Sequence, residues 1–244
     1  MIAVENLKKS FGEVEAVRGI SFKAEDGRIT GLLGPNGAGK TTTLRMLYTL
    51  LEPDSGSILI DGMDPHKHTI EVKHKLGVVP DSRGLYTRLT ARENIRYFGQ
   101  LHGMSAADLE SRIEELTGIL GMQEFIDRRT DGFSQGQRVK VAIARAVVHS
   151  PQTILLDEPT NGLDVMTTRA LRHYLLDLKK AGHCVVLSTH IMQEVAALCD
   201  HIIIIADGQI AASGNADELL QQSGCSTLED AFVKLIGTEE GLLS

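Results

Sequence analysis

Near the start of the chain β-branched and polar positions alternate, in runs at Ile2 to Asn6, Val14 to Val17 and Ile20 to Ala24, and an unbroken apolar run follows at Ile29 to Leu33. Alternation with period two describes strands with one wet face, so this opening predicts antiparallel sheet feeding one core strand. Next comes GPNGAGKTTTLRMLYTL, a glycine loop running into a segment of helical period, then the turn EPDSGS and a short strand at Ser57 to Ile60.

From about Leu85 to Ser150 the period becomes helical, and each helix carries a start signal. Thr90 to Glu93 and Ser105 to Asp108 read as capping boxes, in which a hydroxyl and an acid satisfy orphan N–H groups. Ser134 to Gln137 has the same form with an amide, and its helix should stop before Pro151. Strands and helices then alternate: Thr153 to Leu156, a helix around Thr167 to Lys180, Cys184 to Ser188, a helix to Leu198, and Ile202 to Ala206. That order predicts a mainly parallel sheet. The expected architecture is one α/β domain over 1–244: a core from 1–84 and 151–214 with an N-terminal antiparallel β subdomain, an inserted helical subdomain at 85–150, and a short helical extension at 215–244.

With 244 residues, 42% of them hydrophobic and 23% charged, the chain can bury a sizeable core. Lys plus Arg is 25 against 32 for Asp plus Glu, a formal charge of −7, which argues against wrapping a nucleic acid backbone. The greasiest stretch, Ile202 to Ala206, is far short of the ~18 apolar residues that a membrane span needs. Cys184, Cys199 and Cys225 show no CxxC spacing, and with no signal peptide evident the expectation is a reducing compartment rather than a disulfide or zinc framework.

The chemistry concentrates in three places. Gly34, Gly39, Lys40 and Thr41 match G-x-x-x-x-G-K-[ST] after a strand and before a helix, with Pro35, Asn36, Gly37 and Ala38 between the glycines. Backbone N–H groups of such a loop curl round a phosphate, Lys40 can reach the β- and γ-phosphates, and the Thr41 hydroxyl can ligate Mg²⁺. Asp157 and Glu158 stand at the end of the apolar strand Ile154 to Leu156, where open α/β sheets place their ligands. Asp157 would hold Mg²⁺ and Glu158 would polarise an attacking water; the bland alternative is that one acid caps the next helix. Ser134, Gly136 and Gln137 make a second helix start suited to an anion, and two anion sites suggest two bound surfaces.

At this point the sequence resembles the ATP-binding subunits of ABC transporters over nearly its whole length. FSQGQRVKVAIARA looks like their signature and following helix, ILLDEPTNGLD like their Walker B and D-loop, and STH like their switch histidine. The resemblance implies a P-loop (RecA-like) ATPase core, ATP and Mg²⁺ as ligands, and nucleotide contacts from residues 34–42, Thr42 included. It implies a head-to-tail homodimer around two ATP molecules, each held by one phosphate loop and the other chain's Ser134, Gln135, Gly136 and Gln137, with Asp164 at the interface. Phe11 is placed like the family's adenine-stacking aromatic, or is a strand core residue. His190 looks like the γ-phosphate switch, or merely opens the next helix. The resemblance also implies separate polytopic membrane subunits, docked against the stretch Leu85 to Tyr97, and a peripheral location on the cytoplasmic side of the cell membrane. Leu85, Tyr86 and Leu89 are either that contact or the insert's own core.

The sequence departs from the family pattern twice. Asp81 stands where most of the family carries glutamine, and Gln135 where the signature has its first glycine. Asp81 is still an oxygen ligand but adds negative charge beside Asp157 and Glu158, which should make the loop more dependent on Mg²⁺. Similar substitutions occur in the branch that resembles sodium-extruding, drug-resistance and lipid exporters, so export is expected and the cargo stays open among these. His66, His68 and His74 admit H-x-H metal ligation, but with lysines interleaved a solvated surface is expected. The rivals are a soluble ABC-type ATPase working on ribosomes or DNA, and a scaffold that binds ATP without hydrolysing it. A phosphate-loop kinase or GTPase leaves the second helix start unexplained.

Overall fold

The structure is a computed structural model that describes residues 1–82 and 84–237. In chain order the elements are β1 (Ile2–Phe11), β2 (Val14–Ala24), β3 (Ile29–Leu33), α1 (Lys40–Leu47), β4 (Ser55–Ile60), α2 (Thr69–Lys75), β5 (Leu76–Val79), α3 (Ala91–Leu101), α4 (Ala106–Leu120) and α5 (Gln135–Val147). They continue with β6 (Thr153–Asp157), α6 (Val165–Lys180), β7 (Cys184–Thr189), α7 (Met192–Leu198), β8 (His201–Ala206), β9 (Gln209–Gly214), α8 (Ala216–Ser223) and α9 (Leu228–Ile236). The end of the expected C-terminal extension, 238–244, lies outside the described residues.

Two sheets result. The smaller is antiparallel, ordered β2-β1-β4, and the larger is ordered β5-β6-β7-β3-β8-β9. Every pairing in the larger sheet is parallel except β8 with β9. All five residues of β3 and all five of β6 are buried, as the unbroken apolar runs require of strands covered on both faces. Their side chains alternate between two cores. Ile29, Ile154, Leu156, Val185 and Leu187 face the cluster that includes α3, α4, α5 and α6, whereas Leu32, Leu155 and Val186 face the small sheet and α1.

Helix α5 runs through the first of these cores, with Val139 and every residue from Val141 to Val148 buried. Below its last turn a groove of about 370 Å³ opens between α2, β5, α3 and α5, lined among others by Ile70, Leu101, Arg145, Ala146 and His149.

Four differences from the sequence reading have local causes. The runs Val14 to Val17 and Ile20 to Ala24 are one strand, β2, because the register of its partner β1 shifts and the ladder continues past the polar break at Arg18 and Gly19. Ser105 caps α4, but the Asp108 carboxylate takes the Ser105 hydroxyl at 2.7 Å instead of the backbone N–H, so the box there is half made. Helix α2 went unforeseen because only Val72 is buried, and strand β9 because AASG carries little apolar signal.

Candidate active site

Strand β3 lies between β7 and β8, and at its carboxyl end the chain enters the loop that leads to α1. A Cβ on Gly34 would lie 2.2 Å from the Ile205 carbonyl oxygen, and one on Gly39, whose φ is +103°, would lie 2.5 Å from that of Ala16. Only glycine lets the loop pass this close to backbone on both sides. Helix α1 has no side-chain cap at Gly39, whereas Thr90, Ser134 and Asp164 cap α3, α5 and α6. Its first-turn N–H groups are therefore left facing the cavity with the positive end of the helix dipole, which suits a phosphate. Lys40, 5% exposed, donates to the carbonyls of Gly34 at 2.7 Å and Pro35 at 3.1 Å, and its Nζ stands 3.5 Å from Glu158 Oε1.

The two acids are held by neighbouring strand ends. Asp157, 2% exposed, accepts through Oδ1 from the hydroxyls of Thr41 at 3.0 Å and Ser188 at 2.6 Å. Burial pushes its carboxyl above the usual range against those two hydrogen bonds, and the charges of Asp81 and Glu158 push the same way. Its Oδ2 is buried with no hydrogen-bond partner among the described residues. An orphaned carboxylate oxygen beside a threonine hydroxyl is a hard-oxygen donor set, and it fits Mg²⁺. Glu158 sits where the chain turns, at φ +47°, so its side chain leaves the strand direction and enters the cavity. Its N–H donates to Ser188 Oγ at 3.1 Å, and its Oε2 lies 2.9 Å from His190 Nδ1.

A cavity of about 390 Å³ is lined by residues 36–42, that is Asn36, Gly37, Ala38, Gly39, Lys40, Thr41 and Thr42, together with Asp81, Glu158, Asn161 and His190. Asp157 stands just behind this wall through its bond to Thr41. Ser134, Gln135, Gly136, Gln137 and Asp164 do not line the cavity; they form a group of their own. Ser134 and Gln137 make a full capping box, a Cβ on Gly136 would come within 3.1 Å of Thr167 Oγ1, and Asp164 caps α6 by accepting from Thr167 N and Oγ1 at 2.9 and 2.7 Å. Beside Asp164, Val165 and Met166 are 82% and 73% exposed.

Phe11 also lies outside the cavity wall. It is 49% exposed at the tip of the β1–β2 hairpin, with Lys9 Nζ 5.8 Å from its ring centre, so it is not a strand core residue. The two departures from the family pattern meet: Asp81 and Gln135 line one polar cavity of about 150 Å³ with Arg138, and Gln135 Nε2 reaches the Asn161 carbonyl at 3.4 Å. Leu85 packs on the core, while Tyr86 is exposed and meets Tyr97 edge to face at 5.5 Å. His74 turns toward His102, with 3.4 Å between the two Nδ1 atoms, and His102 stacks on His149. Ser188 and Asn161 were missed from sequence. Ser188 had a usable signal, its place at the end of a core strand.

A phosphate cradle with buried carboxylates at the carboxyl edge of a parallel sheet makes this chain, by class, a phosphate-loop ATPase. The family model for ABC transporters matches residues 17–161, more than half of the chain, and the chain belongs to that family. It is similar over 96% of its length, at 43% identity, to the ABC transporter ATP-binding protein NatA of Bacillus subtilis, of which it covers 97%. It is 36% identical to the linearmycin resistance ATP-binding protein LnrL of the same organism, matching 93% of this chain and 73% of that one. The same identity links it to the Nod factor export ATP-binding protein I of Ralstonia nicotianae, over 94% of this chain and 72% of that one. Among solved structures, an ATP-binding subunit of an ABC transporter superposes with a TM-score of 0.90 at 29% identity, over 96% of this chain and 99% of that one. A dimeric ATP-binding cassette in a post-hydrolysis state, bound to ADP and phosphate, gives 0.80 at 28% identity, over 88% and 98%. Among the described residues no helix is long and apolar enough to cross a membrane.

Proposed function

We propose that this chain is the ATP-hydrolysing subunit of an exporter: two copies close head to tail around two ATP molecules, and the pair drives separate membrane subunits from the cytoplasmic side. The observation that carries this reading is the single cavity joining Lys40, Glu158 and His190 to an uncapped helix start. Residues 34–42 cradle the phosphates, and Lys40 exchanges its bonds to Gly34 and Pro35 for bonds to phosphate oxygens. Glu158 takes the proton of the attacking water, and His190, already 2.9 Å from it, orients that carboxylate. Asp157 and Thr41, with Asp81 at the rim, would hold Mg²⁺, which neutralises phosphate charge when bound.

Ser134, Gln135, Gly136 and Gln137 serve the ATP of the other copy, and Asp164 lies at the interface. That Ser134, Gly136, Gln137 and Asp164 line no part of the phosphate cavity of their own chain, which only Gln135 approaches through Asn161, supports this, as do the exposed Val165 and Met166. Phe11, exposed at the hairpin tip, stacks on the adenine. The division of the chain into an α/β core (1–84 and 151–214), a helical subdomain (85–150) and a C-terminal extension agrees with the grouping of α3, α4 and α5 between β5 and β6. Export as the direction is supported by the printed names of the resistance and Nod factor relatives. Sodium is the first cargo to test, on the sequence departures at Asp81 and Gln135.

The experiment uses Glu158→Gln, purified with ATP from gently solubilised native membranes, with mass spectrometry of what accompanies it. A polytopic partner at stoichiometric level supports the exporter, and flux into vesicles carrying the pair then tests sodium. Ribosomes or nucleic acid in its place would replace transport with a soluble remodelling role.

A further inference from the structure

Glu194, on the first turn of α7, is 3% exposed, although an acid serving only the dipole of a helix start would do so from the surface. One of its oxygens, Oε2, accepts from Thr160 Oγ1 at 2.5 Å and faces Thr189 Oγ1 at 3.5 Å. Thr160, 4% exposed, stands two residues after Glu158, and Thr189, fully buried, immediately precedes His190. Thr189 is itself fixed, because its Oγ1 accepts from the N–H of Ile191 at 3.0 Å. A single carboxylate oxygen thus spans the turn that carries Glu158 and the turn that carries His190.

The turn after β6 needs such a tie. Glu158 holds φ +47° without being glycine, and it precedes Pro159, whose ring further restricts the residue before it. A strained residue persists only where its surroundings over-determine it, at a cost on the order of 1–3 kcal/mol. Ser188 fixes the near side of the turn through the Glu158 N–H, and the Thr160–Glu194 bond fixes the far side. The far side also carries Asn161, which lines the phosphate cavity.

We propose that Glu194 is a positioning residue for hydrolysis: through Thr160 and Thr189 it locks the Glu158 and His190 turns in register, so that base and histidine meet over the phosphate. It touches neither nucleotide nor water. This rests on the reading of Glu158 as the general base, and it adds a residue outside the cavity to that site.

The test is steady-state ATP hydrolysis by the full chain with three substitutions. Glu194→Leu removes the acceptor at similar volume, Thr160→Val removes the donor at similar volume, and Glu194→Gln keeps an amide oxygen that can accept the same bond. Glu194→Leu and Thr160→Val should each lower kcat about 10- to 100-fold with the KM for ATP within about twofold, since misplacement by roughly 1 Å is enough for such losses. The double variant should be no slower than the worse single one, because both remove one interaction. Glu194→Gln should recover most of the rate. If Glu194→Leu does not fold, Thr160→Val with Thr160→Ser as its rescue carries the test alone. Near-normal kcat in Thr160→Val, losses that simply add, or a fall in kcat matched by an equal rise in KM would overturn the proposal. Wild-type turnover in Glu158→Gln would instead remove the general-base reading beneath it.

Discussion

Glu158 combines the general-base role proposed for it with a positive-φ backbone conformation that its neighbours hold in place. Glu158→Gln should therefore leave ATP binding intact and slow turnover on the order of 10²- to 10⁴-fold, roughly 3 to 5 kcal/mol; phosphate release against nucleotide affinity measures both. Asp157 gives a pH signature. Its folded value is raised, so between the ordinary carboxylate value and that raised value the native chain keeps a proton that the unfolded chain releases. The nucleotide-free chain should lose stability as pH rises through this window. Mg²⁺ held by Asp157, as proposed, would compete with the same proton, so the added thermal stability conferred by Mg²⁺ and ATP should fade on acidification before an ordinary aspartate, at about 4, would protonate. Unfolding midpoints across pH, with and without Mg²⁺, check both signs. Asp81 lines the phosphate cavity and raises Asp157 through its charge, so Asp81→Asn should relax the Mg²⁺ dependence of hydrolysis; an unchanged Mg²⁺ titration would refute the special role of this aspartate.

At this scale Lys40, Thr41, Asp157 and Glu158 were legible because each belongs to a contiguous motif. Glu194 was not, and Ser188 was marked only by its place at a strand end, because their partners Asp157 and Thr160 come from another strand end, 31 and 34 positions away.

Among the elements, helices announced themselves where a cap and an apolar face coincide, as in α3, whose capping box joins Thr90 and Glu93 and whose buried side carries Ala91 and Ile95. Helix α2 and strand β9 have neither strong periodicity nor a broad buried face, and only their pairing or packing in the finished fold defines them. Strand β9 pairs antiparallel with β8, the last parallel strand, and forms the edge of the sheet. Asn94 of α3 is another element-level device. Fully buried, it accepts from the Tyr86 N–H at 2.9 Å and donates to the carbonyls of Tyr86 and Thr90 at 3.1 and 2.8 Å, so it pins the stretch proposed to meet the membrane subunits. Asn94→Ala should destabilise the chain by about 1 to 3 kcal/mol, read from denaturant unfolding, because buried backbone groups lose their partner. The Ser134 cap is exposed to solvent at its helix start, so Ser134→Ala should cost only about 1 kcal/mol of stability. A much larger loss of ATP-dependent dimerisation in the same variant would mark its second task.

For the molecule as a whole, the sequence carried the fold class and the order of its parts, since strand and helix periods change where the chain moves between sheets and helices. It did not carry distances between motifs, so that Ser134, Gly136 and Gln137 stand outside the phosphate cavity of their own chain is a finding of the structure, and it supports the proposed second copy. Light scattering of Glu158→Gln should report a dimer with ATP and a monomer without it, and Asp164→Ala should weaken that dimer. An ATP-independent monomer would count against the head-to-tail assembly.

Helix α5 joins the second helix start to the groove at the far side of the core. Its first residue, Gln135, reaches Asn161, its second, Gly136, lies near Asp164, and its last turn, with Arg145 and Ala146, lines the 370 Å³ groove. Thirteen residues span about 20 Å of helix, with the first turn partly exposed and every residue from Val141 to Val147 buried. Were the helix to tilt as a rigid rod, about 10° would displace its far end by about 3 Å, on the scale of the groove's wall. Under the proposed head-to-tail assembly, the groove at one end of α5 would be coupled to the nucleotide site of the other copy at its other end.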